Sequence, residues 1–249
     1  MKREWTTPAG EYSELYSDML SQTHLLIAGA TGAGKSTVVN GMMHAAMYKA
    51  PSEAQFILID PKGCELDEYR RLPHTLRYAE TVQDCVDALE YALRIVYERK
   101  AILKRQGKRE WTDGDVYVVI DELMILMTRV KKAVLPVLQD LLSLARFAHV
   151  HVIACTQSPI AAVIPTQIKC NFDSRLGLRT VCAQDSRNIL GVAGCETFPD
   201  PVKDHKAYGC YRHGCRMETY NLTRITDAER QRLIDYWQHA KPKHIWFGR

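Results

Sequence analysis

The stretch that most constrains this chain is His24 to Thr37, HLLIAGATGAGKST. An apolar run, His24 to Ala28, breaks into a glycine-rich loop, and a helix-prone segment from Thr37 to Lys49 follows at once. This is G-x-x-x-x-G-K-S set between a strand and a helix, the context in which the motif has a mechanism. Glycines let the backbone turn tightly with its N–H groups converging on an anion. The helix N-terminus adds its dipole and unpaired donors. The expected ATP cradle is therefore Gly29, Ala30, Thr31, Gly32, Ala33, Gly34, Lys35, Ser36 and Thr37. Lys35 is expected to reach the β- and γ-phosphates, and Ser36 to offer its hydroxyl to Mg2+. A chance glycine turn before a helix is the competing reading, and the complete motif in this order disfavours it.

Further apolar runs end in polar residues. Val116 to Ile120 closes in Asp121-Glu122, which fits a Walker B strand. Asp121 is expected in the Mg2+ shell, and Glu122 beside it as the group that polarises the attacking water. Alternatively the two acids merely open the next helix, where negative charge is favourable. Val150 to Thr156 ends in Gln157, a candidate γ-phosphate-sensing amide. A cation for the transition state is not obvious in the same strands. Arg175, Arg179 and Arg187 lie further along, where an arginine supplied across a subunit boundary would come from, with surface ion pairs as the plainer reading.

Strands alternating with helices predict an α/β fold around a mainly parallel sheet covered on both faces, with ligands at the carboxyl ends of the strands. The strands are expected at Gln55 to Asp60, Val116 to Asp121, Val150 to Gln157 and Arg175 to Arg179. Thr81 is an N-cap for a long amphipathic helix through Gln106. A helix near Val134 to Phe147 is interrupted or started near Pro136. Beyond Glu196 the pattern predicts a β-hairpin, His205 to Arg212 with Arg216 to Leu222, and a capping box at Thr226 and Glu229 opens a last helix. Residues 1–23 read as a lead-in containing a short helix, 24–240 as one α/β domain and 241–249 as a basic, aromatic tail.

Net charge is only +4 across 249 residues, so any basic footprint for a nucleic acid must be local. One candidate is Arg99, Lys100, Lys104, Arg105, Lys108 and Arg109 at the end of the long helix, against the reading that they solvate the surface and complement the helix dipole. No run approaches the roughly 18 apolar residues of a membrane span. The start carries no apolar secretion signal. The eight cysteines are scattered and read as reduced thiols of a cytoplasmic protein. Cys210 and Cys215, with His205 and His213 nearby, offer a weak zinc pattern without a second cysteine pair.

The blocks HLLIAGATGAGKS, FILIDPKGCEL, VYVVIDEL, IACTQSP, FDSRLGLR and DSRNILG, in that order, resemble the FtsK/SpoIIIE family of DNA motors. The likeness runs from Leu25 to about Glu196. It implies a RecA-like P-loop core, ATP-driven movement of double-stranded DNA, and a homo-oligomer, a hexameric ring whose sites lie between subunits. Arg175 and Arg187 both match arginines of family segments and are both carried as trans candidates. Thr156-Gln157-Ser158-Pro159 departs from the family's frequent Thr-Gln-Arg-Pro. The layout looks like a motor core alone and is similar to the stand-alone ATPases of plasmids, integrative elements and phages, with conjugation or mobile-element maintenance and a recruiting protein partner implied. A protein-export (type VII-like) ATPase and a non-hydrolysing nucleotide switch are the alternatives.

Overall fold

A computed structural model of the chain describes residues 9–157, 160, 163–204, 206–223 and 226–242. Helix α1 (Ala9–Ser21) leads into strand β1 (His24–Ala28), and α2 (Lys35–Lys49) follows the glycine loop. Next come β2 (Gln55–Ile59), β3 (Thr75–Ala79), α3 (Val82–Gln106), β4 (Val116–Ile120), α4 (Leu123–Arg129) and α5 (Lys131–Leu144). The second half holds β5 (Val150–Thr156), α6 (Thr166–Cys170), β6 (Ser174–Leu178), α7 (Ala183–Leu190), α8 (Pro201–Asp204), β7 (Lys206–His213), β8 (Arg216–Thr223) and α9 (Asp227–Trp237).

The strands form one sheet in the order β3-β2-β4-β5-β1-β6-β7-β8. The pairings from β3 to β6 are all parallel, and the β7–β8 hairpin joins antiparallel at β6. β1, β2 and β4 are buried at every position, as continuous apolar strands covered on both faces must be. On one face α3, α4, α5, α6 and α7 pack against Ile57, Val118, Val152 and their neighbours. On the other, α1, α2 and α9 pack against Ile27, Leu58, Val119 and Ile153. α2 is buried nearly all round. Gly41 makes this possible, because a Cβ there would stand 2.5 Å from the ring of Tyr16 on α1.

Several elements differ from the sequence reading. β3, TLRYA, is an edge strand that is half-buried except at Ala79, so no apolar run announces it. α4 is a separate short helix directly after Glu122. α5 starts at Lys131, with the exposed Pro136 inside it, and Lys132, the residue whose carbonyl loses its N–H partner, is itself exposed. Thr81 caps α3 by accepting from Asp84 N, and the capping box of Thr226 with Glu229 is present at α9. His205, Ser158, Pro159 and residues 243–249 of the tail lie outside the described residues. Among those described, no helix is long and apolar enough to cross a membrane.

Candidate nucleotide site

The parallel sheet brings the carboxyl ends of β1, β2, β4, β5 and β6 to one edge. The loop after β1 is held from both sides: Gly29 N donates to Thr156 O of β5 at 3.3 Å, and Ala30 N to Arg179 O after β6 at 2.8 Å. Gly29 must be glycine here, because a Cβ would lie 2.7 Å from Leu178 Cβ. Gly32 and Gly34 adopt φ of 76° and 102°, the left-handed region that glycine enters at little cost. Gly34 precedes α2 without any side-chain cap, and the first turn of α2 carries no acid. That helix end therefore presents its dipole and donors to an anion. Lys35 is buried and donates from Nζ to Gly29 O at 2.8 Å and Ala30 O at 3.0 Å, so the ammonium lies folded over its own loop. Burial lowers its pKa, an effect that the nearby carboxylates of Glu122 and Asp121 oppose.

Asp121 and Glu122 follow β4 and are both buried. Glu122 occupies the N-cap position of α4, yet its side chain makes no capping bond. Its Oε1 instead accepts from Gln157 N at 3.1 Å. Glu122 therefore opens α4 by position, as the plainer reading expects, while its side chain is tied to the end of β5. Gln157 reaches on to the glycine loop, where its Oε1 accepts from Thr31 Oγ1 at 3.2 Å. Glu122, Gln157 and Thr31 thus form a continuous chain from the end of β4 to the glycine loop.

The structure adds two residues to which the sequence reading gave no role. Asp60, at the end of β2 and fully buried, accepts from the backbone N–H groups of Lys62, Gly63, Glu65 and Leu66 at 2.8–3.2 Å. It organises the following loop so that Lys62 points at the acids, with Nζ 3.1 Å from Asp121 Oδ2 and 3.7 Å from Glu122 Oε2. The signal lay in the Asp-Pro-Lys of FILIDPKGCEL, where Pro61 reads only as a strand stop. Burial pushes the Asp121 carboxyl up and Lys62 pulls it back only in part. Burial works against charge on Lys62 as well, yet Asp121 and Glu122 raise its pKa on balance. Negative charge exceeds positive charge around this point. Glu122 Oε2 is buried with no hydrogen-bond partner among the described residues. Hard oxygen donors and an under-compensated carboxylate fit Mg2+, which Ser36 and Asp121 would hold.

The arginines fall in different places. Arg175 sits at the start of β6, opposite Leu26 of β1 and away from the strand ends that carry the loop. Its guanidinium donates to Lys169 O at 2.8 Å, Ile189 O at 3.2 Å and Phe172 O at 3.3 Å. Arg179 faces Asp200 at 3.8 Å. Arg187 projects from α7 and is exposed. In the basic stretch, Arg99 departs from both sequence readings. It is fully buried, donates from Nη1 to Ala148 O at 2.6 Å and to Gly114 O and His149 O at 3.2 Å, and stacks on Trp111 with 4.7 Å to the ring centroid. Lys100, Lys104, Arg105, Lys108 and Arg109 are exposed. Cys210 is buried in β7 and Cys215 exposed in the hairpin turn, and among the described residues the pair joins no metal-holding group.

The sequence pattern of the FtsK/SpoIIIE family matches residues 8–197. The chain belongs to that family. It is 36% identical to the DNA translocase FtsK of Chlorobaculum tepidum over 203 residues, covering 73% of this chain and 25% of that protein. The FtsK/SpoIIIE chain thus spans about a quarter of the length of this relative. Among solved structures it resembles the cytoplasmic domain of the Thermomonospora curvata type VII secretion ATPase EccC, with TM-score 0.75, 20% identity and coverage of 91% of this chain and 29% of that one. It also resembles the monomer form of the pCW3 conjugation coupling protein TcpA with ATPgS, with TM-score 0.73, 21% identity and coverage of 88% and 66%. The fold is that of P-loop ATPase motor domains.

Proposed function

We propose that this FtsK/SpoIIIE chain hydrolyses ATP at a site completed by a neighbouring protomer and uses the cycle to move double-stranded DNA as a ring, in transfer or maintenance of a plasmid, phage or other mobile element. The observation that carries the catalytic part is the Glu122–Gln157–Thr31 chain. It links a buried carboxylate at the end of β4 to the loop that cradles phosphate. On nucleotide entry Lys35 exchanges the carbonyls of Gly29 and Ala30 for phosphate oxygens. The uncapped start of α2 supports the same oxygens. Mg2+, when bound, supplies positive charge against the β- and γ-phosphates. Glu122, fixed through one oxygen by Gln157 N, keeps the other to orient water and accept its proton. Gln157 and Thr31 are placed to register whether the γ-phosphate is present.

Arg187 is the proposed trans cation. It is exposed on α7, whereas the Arg175 guanidinium is engaged by three carbonyls of its own chain. DNA as the polymer rests on the 36% identity to an FtsK translocase, against 20% for the secretion ATPase. The deciding experiment measures ATP turnover with duplex DNA, single-stranded DNA, a polypeptide client and no polymer, with particle size followed throughout. Stimulation by duplex DNA together with assembly supports the proposal. Turnover indifferent to DNA, or full activity in a strictly monomeric preparation, overturns it.

A further inference from the structure

At the end of the sheet opposite the nucleotide loop, β4 and β5 begin side by side, Val116 opposite Val150 and Tyr117 opposite His151. Asp115, His149 and His151 meet there, with one ligand-type atom from each lying within 4.8 Å of the others. Asp115 Oδ1 is 2.8 Å from His149 Nδ1 and 3.3 Å from His151 Nε2. Among the described residues no other group of this kind occurs. We propose that Asp115, His149 and His151 bind one divalent transition-metal ion, zinc by ligand type, outside the nucleotide site. Zinc–nitrogen and zinc–oxygen bonds of about 2.0–2.2 Å put tetrahedral ligand atoms roughly 3.3–3.5 Å apart, so the 2.8 Å contact of Asp115 Oδ1 with His149 Nδ1 has to open by about 0.5–0.7 Å, while the 3.3 Å contact with His151 Nε2 already fits.

The surroundings support the ligands in the way that metal-binding histidines are supported. His151 Nδ1 lies 3.0 Å from Gln22 O. A carbonyl can only accept, so Nδ1 carries the hydrogen and the inward Nε2 of the neutral ring is left with a lone pair. Tyr117 stacks on the same ring with centroids 5.0 Å apart, and its hydroxyl donates to Asp115 Oδ2 at 3.4 Å. The outer nitrogen of His149, Nε2, faces Glu110 Oε1 at 3.4 Å. Arg99 donates to Gly114 O and His149 O, pinning the backbone beside Asp115 and at His149. Each inward nitrogen therefore points at a carboxylate oxygen, an arrangement that requires a proton or a metal cation between them. His149 also holds a left-handed φ of 51°, where glycine or asparagine would be easier to accommodate. Three protein ligands, all partly open to solvent, leave a fourth position for water. Such an ion would fasten the α1–β1 connection, through Gln22 and His151, to the starts of β4 and β5.

The test uses the full chain, nucleotide-free, with Mg2+ in excess so that the nucleotide site does not compete. After equilibration with zinc and removal of free metal, elemental analysis should find about one zinc per chain. A hundredfold excess of zinc over its dissociation constant should raise the melting temperature by roughly 5–10 °C. The cobalt-substituted protein should show ligand-field absorption without thiolate charge transfer. H149N with H151Q together should abolish retention, and asparagine suits the backbone at 149. Glu110→Gln should weaken affinity about 10–100-fold, which a merely structural role would not do. If the double variant does not fold, the H151Q variant in the same assays decides. No retained zinc in the parent chain, equal retention in the variants, or a thiolate-dominated cobalt spectrum overturns the proposal.

Discussion

Lys35, Lys62 and Glu122 lie at one strand edge but answer to different measurements. Lys35 donates to two carbonyls of its own loop, so Lys35→Ala should leave the fold intact while reducing ATP turnover on the order of 100-fold or more, checked by steady-state phosphate release beside circular dichroism. Glu122→Gln removes the proton acceptor and keeps the shape. ATP binding should persist while turnover falls about 10²–10⁴-fold, read by nucleotide binding and single-turnover assays. Among the described residues, Lys62 is the cation paired with the buried Asp121 and Glu122. Lys62→Met should cost on the order of 1–3 kcal/mol in nucleotide-free protein, and Mg2+ with ATP should recover most of it, seen as a larger ligand-induced melting shift than in the parent chain. His44 carries a pH dependence. Burial of this α2 side chain against Tyr69 pulls its pKa down to about 4 from the ordinary 6.5. Between those values the unfolded chain takes up a proton that the folded chain refuses. Stability is therefore full above about pH 6.5 and falls as pH drops toward 4, by up to on the order of 3 kcal/mol. His44→Gln should make denaturant midpoints fall less steeply over that window, leaving the share of His24, whose pKa burial lowers to about 3.

The elements show where periodicity informs and where it misleads. α3 has a legible start at Thr81 and a legible stop at Gly107, whose φ of 66° closes the helix onto Leu103 O and Lys104 O. Its basic end reads as one patch, yet it divides by burial. Arg99→Met removes the donor that Ala148 O and Gly114 O share, while His149 O keeps Val116 N, and should lower stability on the order of 3 kcal/mol, measured by denaturant melts. Replacing the exposed Lys104, Arg105, Lys108 and Arg109 with alanine should leave stability near the parent value. If they face the DNA of the proposed motor, duplex affinity falls and the salt dependence becomes shallower. The split is invisible in sequence because the charge is the same at each position. β3 was illegible for a different reason: an edge strand whose first four residues are only half-buried has no continuous apolar run to show.

At the scale of the whole molecule, the nucleotide loop and acids sit at one edge of the sheet and Arg187 projects from α7. If the site is shared, an equimolar mixture of Lys35→Ala and Arg187→Ala chains should regenerate about a quarter of the parent's ATP turnover. Random assembly places an intact lysine half beside an intact arginine half in about that fraction of interfaces. Each variant alone should remain inactive, and absence of recovery in mixed particles of full size removes Arg187 from the role.

The sequence by itself determined the glycine loop between β1 and α2, the pair of acids that closes β4, the Thr-Gln end of β5, the parallel α/β architecture, the hairpin and the caps. Each of these is written in neighbouring residues whose spacing or conformational preference is local. Tertiary structure alone decided that Lys62 faces Asp121, that Glu122 is tied to Gln157 rather than to its helix, that Arg99 is interior and that Asp115 meets His149 and His151. Those relations join residues about 35 to 60 positions apart. They depend on which strands become neighbours in β2-β4-β5, and no local pattern of the chain encodes that order.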